Sequence, residues 1–309
     1  MTRSNALTVT SNTTMSLNGF GKKIYDNGDI YEGSFENNEF HGHGKLVQTN
    51  GVTYVGEFYH GYFHGNGKMT CDDGSMYEGT WEYDFLCGKG KYSRRDGATY
   101  EGQFFNGLPH GIGKFTYISG SVYTGQVRDA KQHGHGKLIK KNGMVYVGQF
   151  KADKAHGKGT ETWADGMYCG DFCEGKYHGV GVFIGHDGSS YEGDFDQNRR
   201  HGYGKGTTAD GEMYEGEFKD HLYHGDGVCI DPNGDVYKGK FHEGERHGMG
   251  LLTMQNGEQK SGVWDRGNFV VEVKSKSSDF DKQSVENLEE CDFEWDDNLL
   301  KDYPVLTAM

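Results

Sequence analysis

Ten histidines or their substitutes recur at even spacing: His41, His64, His110, His133, His156, His178, His201, His224 and His247, with Cys87 in the one remaining slot. Imidazoles at a fixed spacing could form a metal ladder. Rows two strands apart would be about 9.5 Å from each other, whereas zinc needs its ligands ~2.0–2.1 Å from one ion. The row is therefore expected to brace a local turn, and no metal is expected. Cys169 and Cys173 form a C-x-x-x-C without a second pair, which reads as two small residues on a strand. The G-x-G pairs that follow the histidines do not open a helix as G-x-G-x-x-G, so a dinucleotide loop is not expected. The sequence contains no G-x-S-x-G, phosphate-binding loop or H-E-x-x-H. No catalytic residue, cofactor or metal is assigned, and the chain is expected not to be an enzyme.

A basic row is the first feature with binding chemistry. Lys22, Lys45, Lys68, Lys91, Lys114 and Lys137 occupy one repeat position, and lysine returns there at Lys205. Such a stripe would extend up to ~50 Å and suit anionic phospholipid head groups or an acidic protein. Glu32, Glu78 and Glu101, placed across from it, could instead balance it as a solvated row. The second feature is the C-terminal segment. Residues 271–309 carry net −7, and Phe280, Leu288, Phe293, Trp295, Leu299 and Leu300 punctuate the acids. These six form a candidate docking motif for a partner groove. A fold-back of this tail over the array, onto exposed aromatics and the lysine row, is the alternative, and Ser284 could cap a short helix there.

The elements that must carry these residues follow from the glycines, 51 in 309 residues with only 3 prolines. Collagen and disorder are both excluded, the first by the shortage of proline and the second by 20 Tyr, 18 Phe and 4 Trp. Tyrosine recurs at 31, 54, 77, 100, 123, 146, 168, 191, 214 and 237, eight steps of 23 residues and one of 22. Counting that Tyr as position 1, Gly occupies positions 3, 12, 14 and 21 of every unit and Phe, Trp or Val occupies position 5. With the partial units at either end, these slots take 44 of the 51 glycines, which excludes chance, and five of the other seven fall at position 8.

Each unit reads as a β-hairpin. Y-x-G-x-F alternates with period 2, which puts Tyr, Gly and Phe on one face. A partner strand is expected at positions 15–19. The Asn-Gly or Asp-Gly at positions 20–21 predicts a type I′ turn, and the other reversal is expected around positions 6–10. Gly at position 3 would admit a ring from a neighbouring unit. The fold expected is an all-β, elongated, twisted single-layer antiparallel sheet of about eleven stacked hairpins, a coiling rod of roughly 100 Å. The 22-residue step near Gly166 should bring a bend or an altered turn. Residues 1–18 are expected to be a flexible segment, 19–269 the array, and 270–309 a capping strand (Val270, Val271, Val273) followed by the acidic, aromatic tail.

The pattern Y-x-G-x-F…H-G-x-G…D/N-G closely resembles the MORN repeat (membrane occupation and recognition nexus), across residues 19–269. The resemblance implies an elongated sheet of antiparallel hairpins and a scaffold that assembles proteins, with ciliary or flagellar axonemes and other cytoskeletal structures as its settings. Other members fuse the array to a lipid kinase, a methyltransferase or a membrane anchor. With 39 residues after the array, neither such a domain nor an anchor is expected. The readings carried forward are a protein-assembly scaffold, a membrane-surface adapter using the lysine row, and a targeting subunit using the tail. Net charge is −14, so nucleic acid is not an expected partner. Proteins are, and a homodimer would suit the exposed sheet surface. With no apolar leader, no 18-residue apolar run and six unpatterned cysteines, the chain is expected in the cytoplasm, at the cytoskeleton or peripherally at a membrane surface, neither secreted nor transmembrane.

Overall fold

The computed structural model describes residues 7–8 and 16–273. The tail motif from Phe280 to Leu300 therefore lies outside the described residues. The described part is all-β, without a helix, and falls into two compact units divided between Lys154 and Ala155. In the first, successive strands from Gly19–Ile24 to Val145–Lys151 pair antiparallel in chain order, and Leu7–Thr8 adds a short parallel pairing to Gly21 and Lys22. In the second, the same meander runs from Lys154–Trp163 to Asn268–Glu272, which pairs with Gln259–Asp265.

Each repeat is built from two strands of unequal length. Ile30–Glu36 and Glu39–Val47 are representative: positions 23 to 6 make the first strand and positions 9 to 17 the second. The partner strand thus begins well before the expected position 15, and H-G-x-G lies inside it. Phe35 pairs with Phe40 and Gly33 with Gly44, so Ser34 alone faces His41, Gly42 and His43. This bulge adds two residues, which keeps the inside–outside alternation intact. Its second residue, Gly42, has φ +62°, and the position-12 glycines of the other repeats match it, from +55° at Gly134 to +72° at Gly111. Glycine is required there because other residues rarely adopt that region.

The two reversals exchange the roles read from the sequence. The tight two-residue turns sit at positions 7–8, where both residues have positive φ: Asn37 and Asn38, Asn106 and Gly107, Gln197 and Asn198. Residues with no preference for that region, including Tyr83, Ala152, Glu174 and Arg266, adopt it too. Strand pairing on either side closes the loop and overrides their propensity. At positions 20–21 only the glycine has positive φ. Gly51 N–H donates to the Gln48 carbonyl and Gln48 N–H to Val52, closing a three-residue loop in which Asn50 Oδ1 accepts from Val52 N–H. That is a type I turn ending in a left-handed glycine, the other common hairpin connection.

The 22-residue step alters this loop and nothing else. Trp163 pairs with Gly166, leaving Ala164 and Asp165 as a two-residue turn, while Gly159–Gly170 and Glu161–Tyr168 keep the register of every other repeat. The missing residue comes out of the turn, so no side chain changes face.

The inner face supplies its own core. Glycines at positions 3 and 14 pair across every strand, giving a glycine ladder from Gly21 to Gly148 in the first unit and from Gly159 to Gly262 in the second. The repeat's own Tyr ring lies across this ladder, in place of the neighbouring unit's ring expected above. A Cβ on Gly33 would come 2.5 Å from both Tyr31 Oη and Gly44 Cα. Tyr31 Oη donates to the Ser34 carbonyl at 2.8 Å, and the equivalent bond recurs at Tyr54, Tyr100, Tyr168, Tyr191 and Tyr214. The ring is then covered from above by position 10, which the period-2 reading missed. Phe40 stacks on Tyr31 at 3.8 Å, Tyr177 on Tyr168 at 3.8 Å and Tyr223 on Tyr214 at 3.8 Å. Position-5 rings of the same and the next hairpin close the sides edge-on, as Phe35 and Phe58 do around Tyr31. Edge-to-face pairs add about 0.5–1.5 kcal/mol each beyond burial. Backbone glycines, Tyr ring and position-10 side chain thus bury the tyrosines completely without a second sheet. The repeat beginning at Tyr77 departs from this: Leu86 fills the space over Gly79 and Gly90, and Tyr77 packs on Tyr92 at 4.5 Å.

Burial pushes these phenols up, to about 12 for Tyr100, Tyr123 and Tyr237 and further for Tyr31, Tyr54, Tyr191 and Tyr214. A raised folded-state value means that stability is complete below the unfolded value of about 10 and falls as pH rises toward the folded one. The array is therefore expected to unfold cooperatively between about pH 10 and 12, with phenolate absorbance and loss of β circular dichroism rising together. Tyrosines that ionise gradually while the β signal persists would show that the rings are not held as described.

Candidate interaction surfaces

The six lysines of the basic row all stand exposed on the outer face of the first unit, opposite the tyrosines. Register brings them into one line, but not as neighbours. Lys22, Glu32, Lys45, Val55, Lys68, Glu78, Lys91, Glu101, Lys114, Thr124 and Lys137 are successive cross-strand partners. Lys22 and Lys68 reach Glu32 and Glu78 at 3.6 Å. Three carboxylates are thus interleaved with the six ammonium groups, and the line is a mixed row with a small positive excess.

The histidines are not brought together. Each sits on its bulge, and the carbonyls of His64, His110, His133, His201 and His224 accept from the Tyr hydroxyl of their repeat at 3.1–3.4 Å. Three imidazoles pair with a position-6 carboxylate of their own or the following repeat: His41–Glu36 at 3.1 Å, His178–Asp196 at 3.3 Å and His247–Asp265 at 3.4 Å. The bulge itself is braced mainly by position 4. Glu57, Gln103 and Gln126 accept from the backbone N–H of Asn66, Ile112 and His135 at 2.8–2.9 Å. Cys169 and Cys173 lie four residues apart on one extended strand, about 13 Å at the usual rise, too far for one ion. The Cys169 thiol is buried against Thr160 at 3.4 Å, and burial pushes it up. Among the described residues, the one cluster of three metal-type donors is Glu212, Cys229 and Asp231. Arg246 already holds both Asp231 oxygens at 2.7 Å and Tyr223 donates to Glu212 at 2.8 Å, so the group reads as a satisfied ion pair.

A surface that the repeat pattern did not reveal lies along the tight-turn edge of the first unit. Positions 6, 7 and 9 are variable, and in each of three consecutive repeats two of them are large and hydrophobic, giving Tyr59, Tyr62, Tyr83, Phe85, Phe105 and Leu108, with His60, Glu82 and Asn106 in the remaining slots. All six are 40–61% exposed. Tyr59 pairs with Tyr62 and Phe105 with Leu108 across their turns, while Tyr62 meets Tyr83 edge-on at 5.7 Å between turns. Turn-to-turn hydrogen bonds hold the ridge rigid, with Asp84 N–H donating to Phe63 and Gly107 N–H to Leu86. One end of the ridge carries Glu36 and Glu39, and the other mixes Arg128, Lys131 and Lys151 with Asp129 and Asp153. The signal was present in the sequence, but only where repeats differ, and it becomes a surface only when turns stack.

Comparison with known proteins agrees with the architecture. A family profile described as the MORN repeat matches ten consecutive segments: 31–53, 54–76, 77–99, 100–122, 123–145, 146–167, 168–190, 191–213, 214–236 and 237–259. No curated protein sequence matches the chain. Among solved structures, the TCP10 domain of Danio rerio CPAP in complex with a peptide of Danio rerio STIL aligns over 79% of this chain and 98% of its own, at 11% identity and TM-score 0.37. The SAS-4 TCP domain of Drosophila melanogaster, bound to a proline-rich motif of Ana2, aligns over 57% and 85% at 9% identity and TM-score 0.24. Scores this low carry no argument about partners. The ten profile matches span most of the chain and coincide with the hairpins, so the chain belongs to the MORN-repeat family.

Proposed function

We propose that this protein is a non-enzymatic scaffold that assembles protein partners in a cytoskeletal setting, and that the aromatic ridge on the tight-turn edge of the first unit is its principal docking surface. The observation that supports this most is the concentration of six exposed large apolar side chains on three stacked turns. Contiguous exposed apolar surface is expensive in water and characteristically marks a binding site. Aromatic anchors on a rigid support lose little entropy on binding. The lipid reading is weaker, because Glu32, Glu78 and Glu101 interrupt the lysine row.

The test is selection of a displayed random-peptide library on the full-length chain, counter-selected with a Tyr62→Ser, Phe85→Ser, Phe105→Ser variant. Peptides rich in large apolar residues are expected, binding the variant at least about tenfold more weakly. Peptides that bind both forms equally, or no enrichment at all, would remove the ridge as the docking surface. Liposomes with anionic lipid, tested against a Lys45→Glu, Lys68→Glu, Lys91→Glu, Lys114→Glu variant, are expected to show no specific binding. Sedimentation that this variant abolishes would favour the membrane reading instead.

A further inference from the structure

The second unit contains a cavity of about 430 Å³ on its inner face, walled by Tyr177, Phe183 and Phe195 and flanked by Arg200, Thr207 and His221. It adjoins the repeat beginning at Tyr191, whose position 16 is Gly206 where Leu46, Phe115, Leu138, Phe183 and Leu252 stand in other repeats.

The same repeat changes its cover. Position 10 is Tyr177 before it and Tyr223 after it, but here it is Arg200. The guanidinium lies over Tyr191 and Phe218, 5.7 and 5.4 Å from their centroids, and Nη2 donates to the His221 carbonyl at 3.0 Å. One such donor group has been used, so the guanidinium keeps others for an incoming anion. Aromatic walls beside a fixed cation suit a planar apolar side chain adjacent to carboxylates, while the Ser189 and Thr208 hydroxyls at the rim are already engaged, donating to Asp187 and Asp210.

The chain carries that chemistry within reach. It leaves the described structure at Val273, in the same unit, and 36 residues follow. Asp292-Phe293-Glu294-Trp295-Asp296 puts two rings between three carboxylates. Six strand spacings separate Arg199–Thr207 from Asn268–Glu272, about 29 Å at the usual strand spacing. The 19 residues from Val273 to Asp292 can span about 63 Å when extended. We infer that this cavity of the second unit is a docking site for the protein's own C-terminal segment, with Phe293 or Trp295 seated between the aromatic walls and the flanking carboxylates on Arg200. This site is separate from the turn ridge, so the two readings stand or fall independently.

The experiment places the photo-crosslinker p-benzoylphenylalanine at position 295 of the full-length chain, at high dilution, and maps the products by mass spectrometry. Crosslinks within one molecule to residues 177–209 are expected. Phe183→Ser, which removes an aromatic wall, should lower their yield at least about tenfold, the loss typical of a lost aromatic contact. Arg200→Gln and raised salt should each lower it as well. A further variant, Asp292→Asn, Glu294→Gln, Asp296→Asn, changes only the tail and keeps the test decisive if Phe183→Ser unfolds; it too should reduce the yield. Crosslinks to other surfaces, crosslinks only between molecules, or a yield unchanged in the tail variant would overturn the assignment.

Discussion

Gly102→Ala is expected to destabilise the array by about 3 kcal/mol, the upper part of the range for overpacking a well-filled site. A Cβ there would lie 2.5 Å from Gly113 Cα, 2.6 Å from Tyr100 Oη and 2.7 Å from the Ile112 carbonyl. Two of these atoms are backbone of the paired strand, so relief means opening the ladder at that rung. Opening it also releases the Tyr100 hydroxyl from Gln103 and His110 and exposes a ring that is fully buried. Gly107→Ala is the control. Its φ is +76°, but Ala130 occupies the equivalent turn position at +60°, and the new Cβ would touch only Phe85 Cδ1 at 3.8 Å. A cost of no more than about 1–2 kcal/mol follows for a residue placed in the left-handed region. Urea unfolding of the two variants decides the matter. Equal midpoints would mean that the glycine ladder is not the constraint it is taken to be. Gly113→Ala offers a second check: the three nearest atoms all belong to Tyr100 and none to backbone, so pairing it with Tyr100→Leu should recover part of the loss.

Single-residue deletions should give an even larger contrast. Removing Ser121 converts the loop before Tyr123 into the arrangement already present at Trp163–Gly166, and the protein should keep its β signal and cooperative unfolding. Removing Thr124, three residues on, shortens the strand Val122–Arg128 itself. With Tyr123 held in place, Gln126 would enter the glycine ladder and Val127 would turn to solvent. With Val127 held, Val122 would replace Tyr123 over the ladder. A one-residue slip moves every side chain to the other face, so neither arrangement retains the core. Hydrogen exchange is expected to show protection lost through the repeat and its two neighbours, because contacts in such arrays are between adjacent repeats. Protection matching that of the Ser121 deletion would show that register is not set by the inner face.

How much of this was legible before the structure depends on which contacts a residue makes. The hairpins, their number and the inward face of Y-x-G-x-F rest on local alternation and on glycines whose backbone needs recur every 23 residues, so spacing alone carries them. The turn types were read in reverse, because Asn-Gly is a strong local signal at positions 20–21. The residues that adopt double positive φ at positions 7–8, such as Tyr83 and Arg266, do so under the pairing of flanking strands. Position 10 escaped notice for a related reason. Its place over the Tyr ring depends on a bulge that no period-2 count anticipates.

The surfaces divide in the same way. The lysine row was visible as a column of one residue type, but its charge balance was decided by cross-strand register, which sets a carboxylate between Lys22 and Lys45 and again between Lys68 and Lys91. The aromatic ridge and the cavity beside Arg200 arise where repeats depart from their own pattern, and a single strand has no means of showing what stands beside it. The sequence by itself determined the repeat, the hairpin and the buried face, because these depend on backbone needs and on alternation within one strand. Only the tertiary structure decided which variable side chains meet, because strands distant in the repeat become neighbours 4.8 Å apart only when hairpins pair.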